Sequence, residues 1–204
     1  MNIQPLPLGM FQANCFIVSE GSSAFLVDPG DTPQAVLDYL DHHGLTLSFI
    51  LLTHGHMDHV NGVDGILERF PVPVYLHEKD EEAIRDRVRI FGHLDAKTHP
   101  VKEGEILKFM DHSIQVLETP GHTQGGVCYL IEGNLFSGDT LFRHSVGRSD
   151  LAGGDEATLL ESIEKKLLGL PEDTVVWPGH DAPTDLGHEK KYNQFLKPLG
   201  KAKR

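Results

Sequence analysis

The most informative segment of the sequence is Phe49-Ile50-Leu51-Leu52-Thr53-His54-Gly55-His56-Met57-Asp58-His59. Its first four residues are apolar, which is typical of a buried strand. The loop after that strand then carries four potential metal ligands within six positions. Histidines two positions apart on an extended chain project to the same side, so His54 and His56 can share one cation. Asp58 and His59 fall at a turn into the next helix, where they can face a neighbouring cation.

Three more residues of metal-binding type lie at similar positions farther along the chain. Each follows an apolar run and has a glycine beside it, and glycine permits sharp turns and close approach of the backbone. Taken alone, each could be an incidental polar residue of a loop. Together with the first stretch they predict a metal centre, because imidazole and carboxylate suit zinc, iron or manganese. The three residues are His122, Asp139 and His180.

The composition favours an ordinary globular protein that acts on small molecules. The 204 residues are 39% hydrophobic and 24% charged, and the formal net charge is −12. This charge works against binding to nucleic acid or to an anionic membrane. Residues 1–12 lack the pattern of a secretory signal, so we expect a cytoplasmic protein. Cys15 and Cys128 lie in apolar segments and are expected to be buried thiols. Four isolated histidines are expected at the surface: His77, His93, His99 and His112.

Hydrophobic periodicity and turn residues predict strands and helices in alternation. Thr32 can cap the first helix, Pro33 suits its first turn and Gly44 ends it. The predicted helices cover 32–44, 61–70, 79–88, 156–168 and about 186–195. The predicted strands cover 15–18, 24–27, 49–52, 72–76, 105–110, 113–117, 127–131, 135–137 and 174–177.

The order of these elements predicts one α+β domain over residues 1–204. Hairpins alternate with βα units in both halves of the chain. That order suits two sheets packed face to face, with helices on both outer sides. No internal repeat or low-complexity linker divides the sequence.

The ordered set His54-x-His56-x-Asp58-His59, His122, Asp139 and His180 resembles the metallo-β-lactamase superfamily. The resemblance spans nearly the whole chain and includes Asp28-Pro29-Gly30. Within the family it is nearest to glyoxalase II-like hydrolases, since Gly147-Arg148-Ser149-Asp150 resembles a segment of their small single-domain relatives. The resemblance implies a four-layer αββα sandwich. The chain ends soon after Pro183, so we expect the helical C-terminal domain of two-domain glyoxalase II enzymes to be absent.

The resemblance also implies a role for each ligand. His54, His56 and His122 would bind one metal ion, and Asp58, His59 and His180 would bind the second. Asp139 would bridge the two ions, and Asp28 would orient ligands through hydrogen bonds. The ions would be zinc, with iron and manganese as alternatives.

Two cations about 3.5–4 Å apart can hold a hydroxide between them. The implied reaction is attack of that hydroxide on a carbonyl carbon, with Asp58 both binding metal and orienting the nucleophile. The implied substrate is a small acyl-thiol, a thioester or a related ester. Arg148, Arg143 and His144 could bind it, although the two arginines could equally be ordinary loop charges. His188 could line the same cleft. The oligomeric state stays open.

Several alternatives share the same motif. A mononuclear iron persulfide dioxygenase keeps the seven-residue pattern but uses two histidines and one aspartate for iron. A β-lactamase is disfavoured because many two-zinc β-lactamases have cysteine where this chain has Asp139. A diiron flavoprotein partner is disfavoured by His56, where glutamate is typical. An RNA-processing nuclease is disfavoured by the acidic charge, and a non-catalytic binding protein by the presence of all seven ligands.

Overall fold

The computed structural model describes residues 1–197, and its Cα positions divide into two compact units. The N-terminal unit is residues 1–101, and the C-terminal unit begins at Lys102. Each unit contains one six-stranded sheet. The expectation of a single domain over 1–204 stays a prediction, and its last seven residues lie outside the described part. Within residues 1–197, no helix has the length and apolar character needed to cross a membrane.

The N-terminal unit is built on a mixed sheet with the strand order β1-β2-β3-β4-β5-β6. The strands β1 to β3 are antiparallel hairpin partners, and β3 to β6 run parallel to one another. Its elements are β1 (Asn2–Leu8), β2 (Ala13–Glu20), β3 (Ser23–Val27), α1 (Pro33–His42), β4 (Thr46–Leu51), α2 (Met57–Val60), α3 (Val63–Leu67), β5 (Val74–His77), α4 (Glu78–Arg85) and β6 (Thr98–Val101).

Parallel strands need a crossover, and α1 supplies it between β3 and β4. Its buried residues Val36 and Leu40 belong to a core that also contains Leu26, Ile50 and Leu52. The strands β3 and β4 are almost wholly buried at their carboxyl ends. This burial explains the continuous apolar runs that made them recognisable in the sequence.

The C-terminal unit has the strand order β14-β13-β10-β9-β8-β7, with a separate small hairpin. Its elements are β7 (Ile106–Phe109), β8 (His112–Glu118), β9 (Val127–Ile131), β10 (Asn134–Gly138), the hairpin strands β11 (Leu141–Phe142) and β12 (Ser145–Val146), α5 (Glu156–Ser162), β13 (Val175–Pro178), β14 (Thr184–Asp185) and α6 (Leu186–Tyr192). The helix α5 continues into a π-helical turn over Ile163–Leu167. Their spacing predicts that Leu160, Ile163 and Leu167 face the core; Ile163 and Leu167 are buried there, but Leu160 is only half-buried and Leu159 is the buried leucine of α5.

The predicted elements are present, with some differences in extent. The helix expected over 61–70 is the shorter α3, Val63–Leu67, and a separate short helix, α2, precedes it at Met57–Val60. The helix expected to reach residue 195 ends at Tyr192, because Asn193 is extended and its side chain bonds to the Ser145 carbonyl. The strands β1, β6, β11, β12 and β14 had no clear signal in the sequence.

Two expectations about single residues are wrong. Thr32 does not cap α1 through its side chain: its backbone is left-handed, and its amide donates to Asp31 Oδ1 at 2.5 Å. His77 is buried rather than exposed, because β5 runs directly into α4 there. Its Nδ1 accepts a hydrogen bond from the Lys79 amide and caps that helix. The prediction that Cys15 and Cys128 are buried free thiols is confirmed.

Candidate metal centre

In the N-terminal unit, three buried imidazoles converge at the carboxyl end of β4. His54 and His56 lie on the loop before α2, and His59 lies within that helix. The ring centroid of His54 is 4.7 Å from that of His56 and 4.1 Å from that of His59. Their Nε2 atoms are buried from solvent. Asp58 reaches the same place, with its Oδ2 3.9 Å from His59 Nε2, and its side chain is 22% exposed.

Asp28 fixes the orientation of these imidazoles. It follows β3, which pairs in parallel with β4, so its carboxylate meets Thr53 just beyond the end of β4. Asp28 Oδ1 accepts from the Thr53 amide at 2.7 Å, and Oδ2 accepts from the Thr53 hydroxyl at 2.6 Å. Oδ2 also lies 3.0 Å from His59 Nδ1. A carboxylate only accepts hydrogen bonds, so His59 carries its proton on Nδ1 and presents Nε2 to a metal.

The Thr53 hydroxyl extends this arrangement to His54, whose Nδ1 lies 3.0 Å from it. The same carboxylate therefore positions two imidazoles, one directly and one through Thr53. Burial, and secondarily the charge of Asp28, raise the pKa of the neighbouring Cys15 thiol. That thiol consequently stays protonated at neutral pH, and it contributes no thiolate ligand.

Close backbone packing also shapes this loop. A Cβ on Gly30 would lie 1.5 Å from the Asp58 carbonyl oxygen, so only glycine lets the chain after Asp28 pass beside Asp58. On the other side, the buried Asp80 accepts a hydrogen bond from the Gly55 amide at 2.8 Å. The ring of Phe91 contacts His56, with centroids 5.0 Å apart. Asp80 was missed in the sequence, since an aspartate in an acidic helix gives no local signal.

In the C-terminal unit, three loops bring their ligand residues to one edge of the sheet. The strands β8, β10 and β13 point in the same direction, because β10 and β13 are parallel and β9 is antiparallel to both β8 and β10. The segments that follow them therefore leave the same edge. These segments carry His122, Asp139 and His180.

Within this unit, both imidazoles point at one carboxylate oxygen. Asp139 Oδ2 lies 3.4 Å from His122 Nε2 and 3.8 Å from His180 Nε2. An oxygen between two imidazole nitrogens at such distances is the arrangement expected of a bridging carboxylate. The ring of Phe142, on β11, lies beside His180 with centroids 6.2 Å apart.

A backbone carbonyl orients His122. Its Nδ1 lies 2.7 Å from the Arg148 carbonyl oxygen, and a carbonyl accepts only, so the proton is on Nδ1 and Nε2 faces Asp139. Gly147 allows this loop to pass close by, because a Cβ there would lie 1.7 Å from the Asp139 carbonyl oxygen. No side-chain pattern in the sequence marks a carbonyl as a partner, so this contribution of Arg148 was missed.

The residues expected to contact substrate lie on exposed loops of the same unit. The Arg148 guanidinium makes two hydrogen bonds of 2.8 Å to Asp150, and both side chains are more than half exposed. This ion pair holds the pKa of Asp150 down at about 2 and raises the pKa of Arg148. Arg143 and His144 form the two-residue loop between β11 and β12. Their contact with substrate stays a prediction.

The donor set in each unit fits a divalent transition metal. Imidazole nitrogen and carboxylate oxygen are the ligands that zinc, iron and manganese share. Protons on the Nδ1 atoms of His59 and His122, fixed by acceptors behind each ring, leave Nε2 as the ligand atom in both units. Such acceptors are the usual partners of metal-binding histidines.

Comparison with known proteins supports this interpretation. The model of the Metallo-beta-lactamase superfamily matches residues 8–180. The hydroxyacylglutathione hydrolase GloC of Haemophilus influenzae is 35% identical over 208 residues, covering 96% of this chain and 98% of its own.

Two solved structures share the fold. The BLEG-1 B3 metallo-beta-lactamase has a TM-score of 0.88 and 36% identity, over 96% of this chain and all of its own. The protein TTHA1623, solved in a di-iron-bound form, has a TM-score of 0.83 and 40% identity, over 95% of this chain and all of its own. These likenesses confirm the predicted α+β sandwich class.

Proposed function

Because the chain belongs to the metallo-beta-lactamase superfamily, we propose that this metal-dependent hydrolase cleaves thioesters of small acyl-thiols with two metal ions. The observation that carries the proposal is the geometry of Asp139, whose Oδ2 lies between the Nε2 atoms of His122 and His180. A carboxylate in that position suits a dinuclear centre, since each of its flanking imidazoles can serve a different ion.

The proposed assignment of ligands follows the family pattern. His54, His56 and His122 would hold one ion, Asp58, His59 and His180 would hold the other, and Asp139 would be shared by both. The ions, with zinc as the first candidate, supply hydroxide at neutral pH and stabilise the negative charge that develops on the substrate oxygen. Iron is a second candidate, because the related TTHA1623 has been solved in a di-iron form.

The protein's own part is to hold ligands and protons in place. Asp28 and the Arg148 carbonyl fix the protons of His59 and His122 on Nδ1, so that both rings present a lone pair at Nε2. Asp58 is more exposed than the histidines beside it. Its second carboxylate oxygen can accept a hydrogen bond from the attacking water and orient a lone pair of that water toward the carbonyl carbon.

The thioester is favoured by the relative GloC, which is named a hydroxyacylglutathione hydrolase and aligns with nearly the whole chain. Among the proposed substrate contacts, Arg148 is already paired with Asp150. A substrate carboxylate would have to share the Arg148 guanidinium with Asp150 or displace Asp150 from it. Arg143 and His144 offer a second cation and a hydrogen-bonding ring on the neighbouring loop.

One observation favours a second candidate function. The structure of BLEG-1, titled a B3 metallo-beta-lactamase, is 36% identical to this chain and superposes over 96% of it. A β-lactam ring is also opened by attack at a carbonyl carbon. Hydrolysis of a β-lactam therefore belongs in the same test.

The test combines metal analysis with turnover of S-lactoylglutathione and of the β-lactam nitrocefin. We expect the wild-type protein to hold about two metal ions more per chain than D139A and H59A, and thioester hydrolysis to be lost in both variants. The control D173A removes an exposed aspartate and should retain the bound ions and the activity. Nitrocefin turnover without thioester turnover would assign the protein to the second candidate. About one iron per chain, with oxygen consumption on glutathione persulfide and no thioesterase activity, would overturn the hydrolase in favour of the dioxygenase.

A further inference from the structure

A second group of metal-binding side chains lies in the C-terminal unit and shares no residue with the proposed centre. His144 and His188 are hydrogen-bond partners through their Nε2 atoms. Their rings are nearly parallel, at 11°, and their centroids are 4.7 Å apart. Glu189 completes the group, with one potential ligand atom from each of the three residues within 4.8 Å of the others.

The backbone holds His144 in an unusual conformation to make this contact. It is the second residue of the loop between β11 and β12, and its φ is +63°. That region favours glycine, although histidine is among the side chains that tolerate it. The His144 amide donates to Glu189 Oε2 at 2.8 Å, and this bond ties the loop to α6.

The carboxylate behind the histidines is fully buried and well held. Glu189 Oε1 accepts from the Thr184 hydroxyl at 2.7 Å, and Oε2 accepts from the Asn193 amide group at 2.9 Å as well as from His144. These three donors hold the carboxylate in place, and none of them carries a positive charge. A fixed negative charge beside two imidazoles favours a bound cation.

The histidine pair also borders open space. A cavity of about 470 Å³ is lined by His144, Tyr192, Gln194 and Phe195. Tyr192 also contacts His188, with ring centroids 4.8 Å apart. An ion bound at the pair could therefore complete its coordination with water or a small ligand from the cavity. His144 is exposed on its loop, so its ring can shift to give each nitrogen the about 2.0–2.1 Å that a zinc bond requires.

We propose that Nε2 of His144 and Nε2 of His188 bind one divalent transition-metal ion, with the carboxylate of Glu189 beside them. Two imidazoles with open positions suit zinc, copper or nickel. The site shares no metal ligand with the proposed hydrolase centre, and its test does not depend on activity.

The test is equilibrium dialysis of the purified protein against Zn²⁺, comparing the number of ions bound per chain. In H144G, glycine adopts the positive φ freely, and in H188A, alanine suits the helix, so both variants should fold. We expect each to bind one zinc ion fewer than the wild-type protein. The result is the difference in bound zinc between the wild type and each variant, so it does not depend on how fully the hydrolase centre is occupied.

The matched control is the double variant H42A/H43A. These two neighbouring histidines have ring centroids 4.8 Å apart, but their planes cross at 76° and His43 Nδ1 is engaged by the Tyr39 carbonyl. The control should bind as many ions as the wild-type protein. With Cu²⁺ as a second probe, electron paramagnetic resonance should show coupling to two imidazole nitrogens that is lost in H144G. Equal zinc stoichiometry in the wild type, H144G and H188A would overturn the proposal, and so would an equal loss in the control.

Discussion

The replacement D28N tests how one buried carboxylate controls the metal ligands. Asp28 is 1% exposed and accepts three hydrogen bonds, from the Thr53 amide, the Thr53 hydroxyl and His59 Nδ1. An amide of nearly the same shape has one acceptor oxygen and one donor group. If its oxygen keeps the Thr53 amide, its NH₂ group faces His59. His59 must then accept at Nδ1 and carry its proton on Nε2, the atom that should bind the metal.

The expected magnitudes follow from this count. A hydrogen bond to a charged group contributes about 1 kcal/mol more than one between neutral groups, and three such bonds are affected. The metal-free D28N protein should therefore lose about 2–3 kcal/mol of unfolding free energy. Its metal affinity should fall further, by about 10- to 100-fold, as is typical when a partner of a metal-binding histidine is lost.

The assay has two parts: denaturant unfolding of the metal-free protein, and competition for Zn²⁺ against a chelating dye. The control D38N makes the same chemical change on the exposed face of α1, where a change within about 0.5 kcal/mol and unaltered zinc binding are expected. If D28N is destabilised but binds zinc as tightly as the wild type, the argument from the His59 proton is refuted. If the stability of D28N equals that of the wild type, the estimate from three hydrogen bonds to the Asp28 carboxylate is refuted.

Three further predictions test other parts of the structure. The variant G147A should lose about 3 kcal/mol of unfolding free energy, because the new methyl group would lie 1.7 Å from the Asp139 carbonyl oxygen. The control G169A, whose methyl group would enter open space, should keep the wild-type stability. Denaturant titration of both variants measures the difference. The variant R148A should raise the pKa of Asp150 from about 2 toward 3.8, followed by carboxyl NMR. Since this pKa is lowered in the folded state, the ion pair's contribution to folding stability should be present above about pH 4 and lost as the pH falls through about 2. The variant R148A should remove this pH dependence of stability. Removing bound metal with a chelator should lower Tm by about 10 °C, and Zn²⁺ should restore it; an unchanged Tm would argue against metal binding at the buried histidines.

Much of the secondary structure could be predicted from local sequence. The buried strands β3 and β4 and the helix α5 were recognisable because burial imposes a pattern on neighbouring residues. The strands β1 and β14 were not, since edge strands are partly exposed and their apolar pattern is weak. His77 was misjudged for a related reason: its burial depends on α4 turning back over the end of β5, not on its neighbours in sequence.

The chemical groups available to bind metal can be read from local sequence, because imidazole and carboxylate side chains are properties of single residues and their spacing along a loop is local. The hydrogen-bond partners that orient these side chains depend on the tertiary fold. Asp28 meets His59 across 31 positions, and the Arg148 carbonyl meets His122 across 26. The pairing of His144 with His188 spans 44. Strand register and loop packing bring such partners into contact. A backbone carbonyl, moreover, is the same in every residue, so no sequence pattern can single it out.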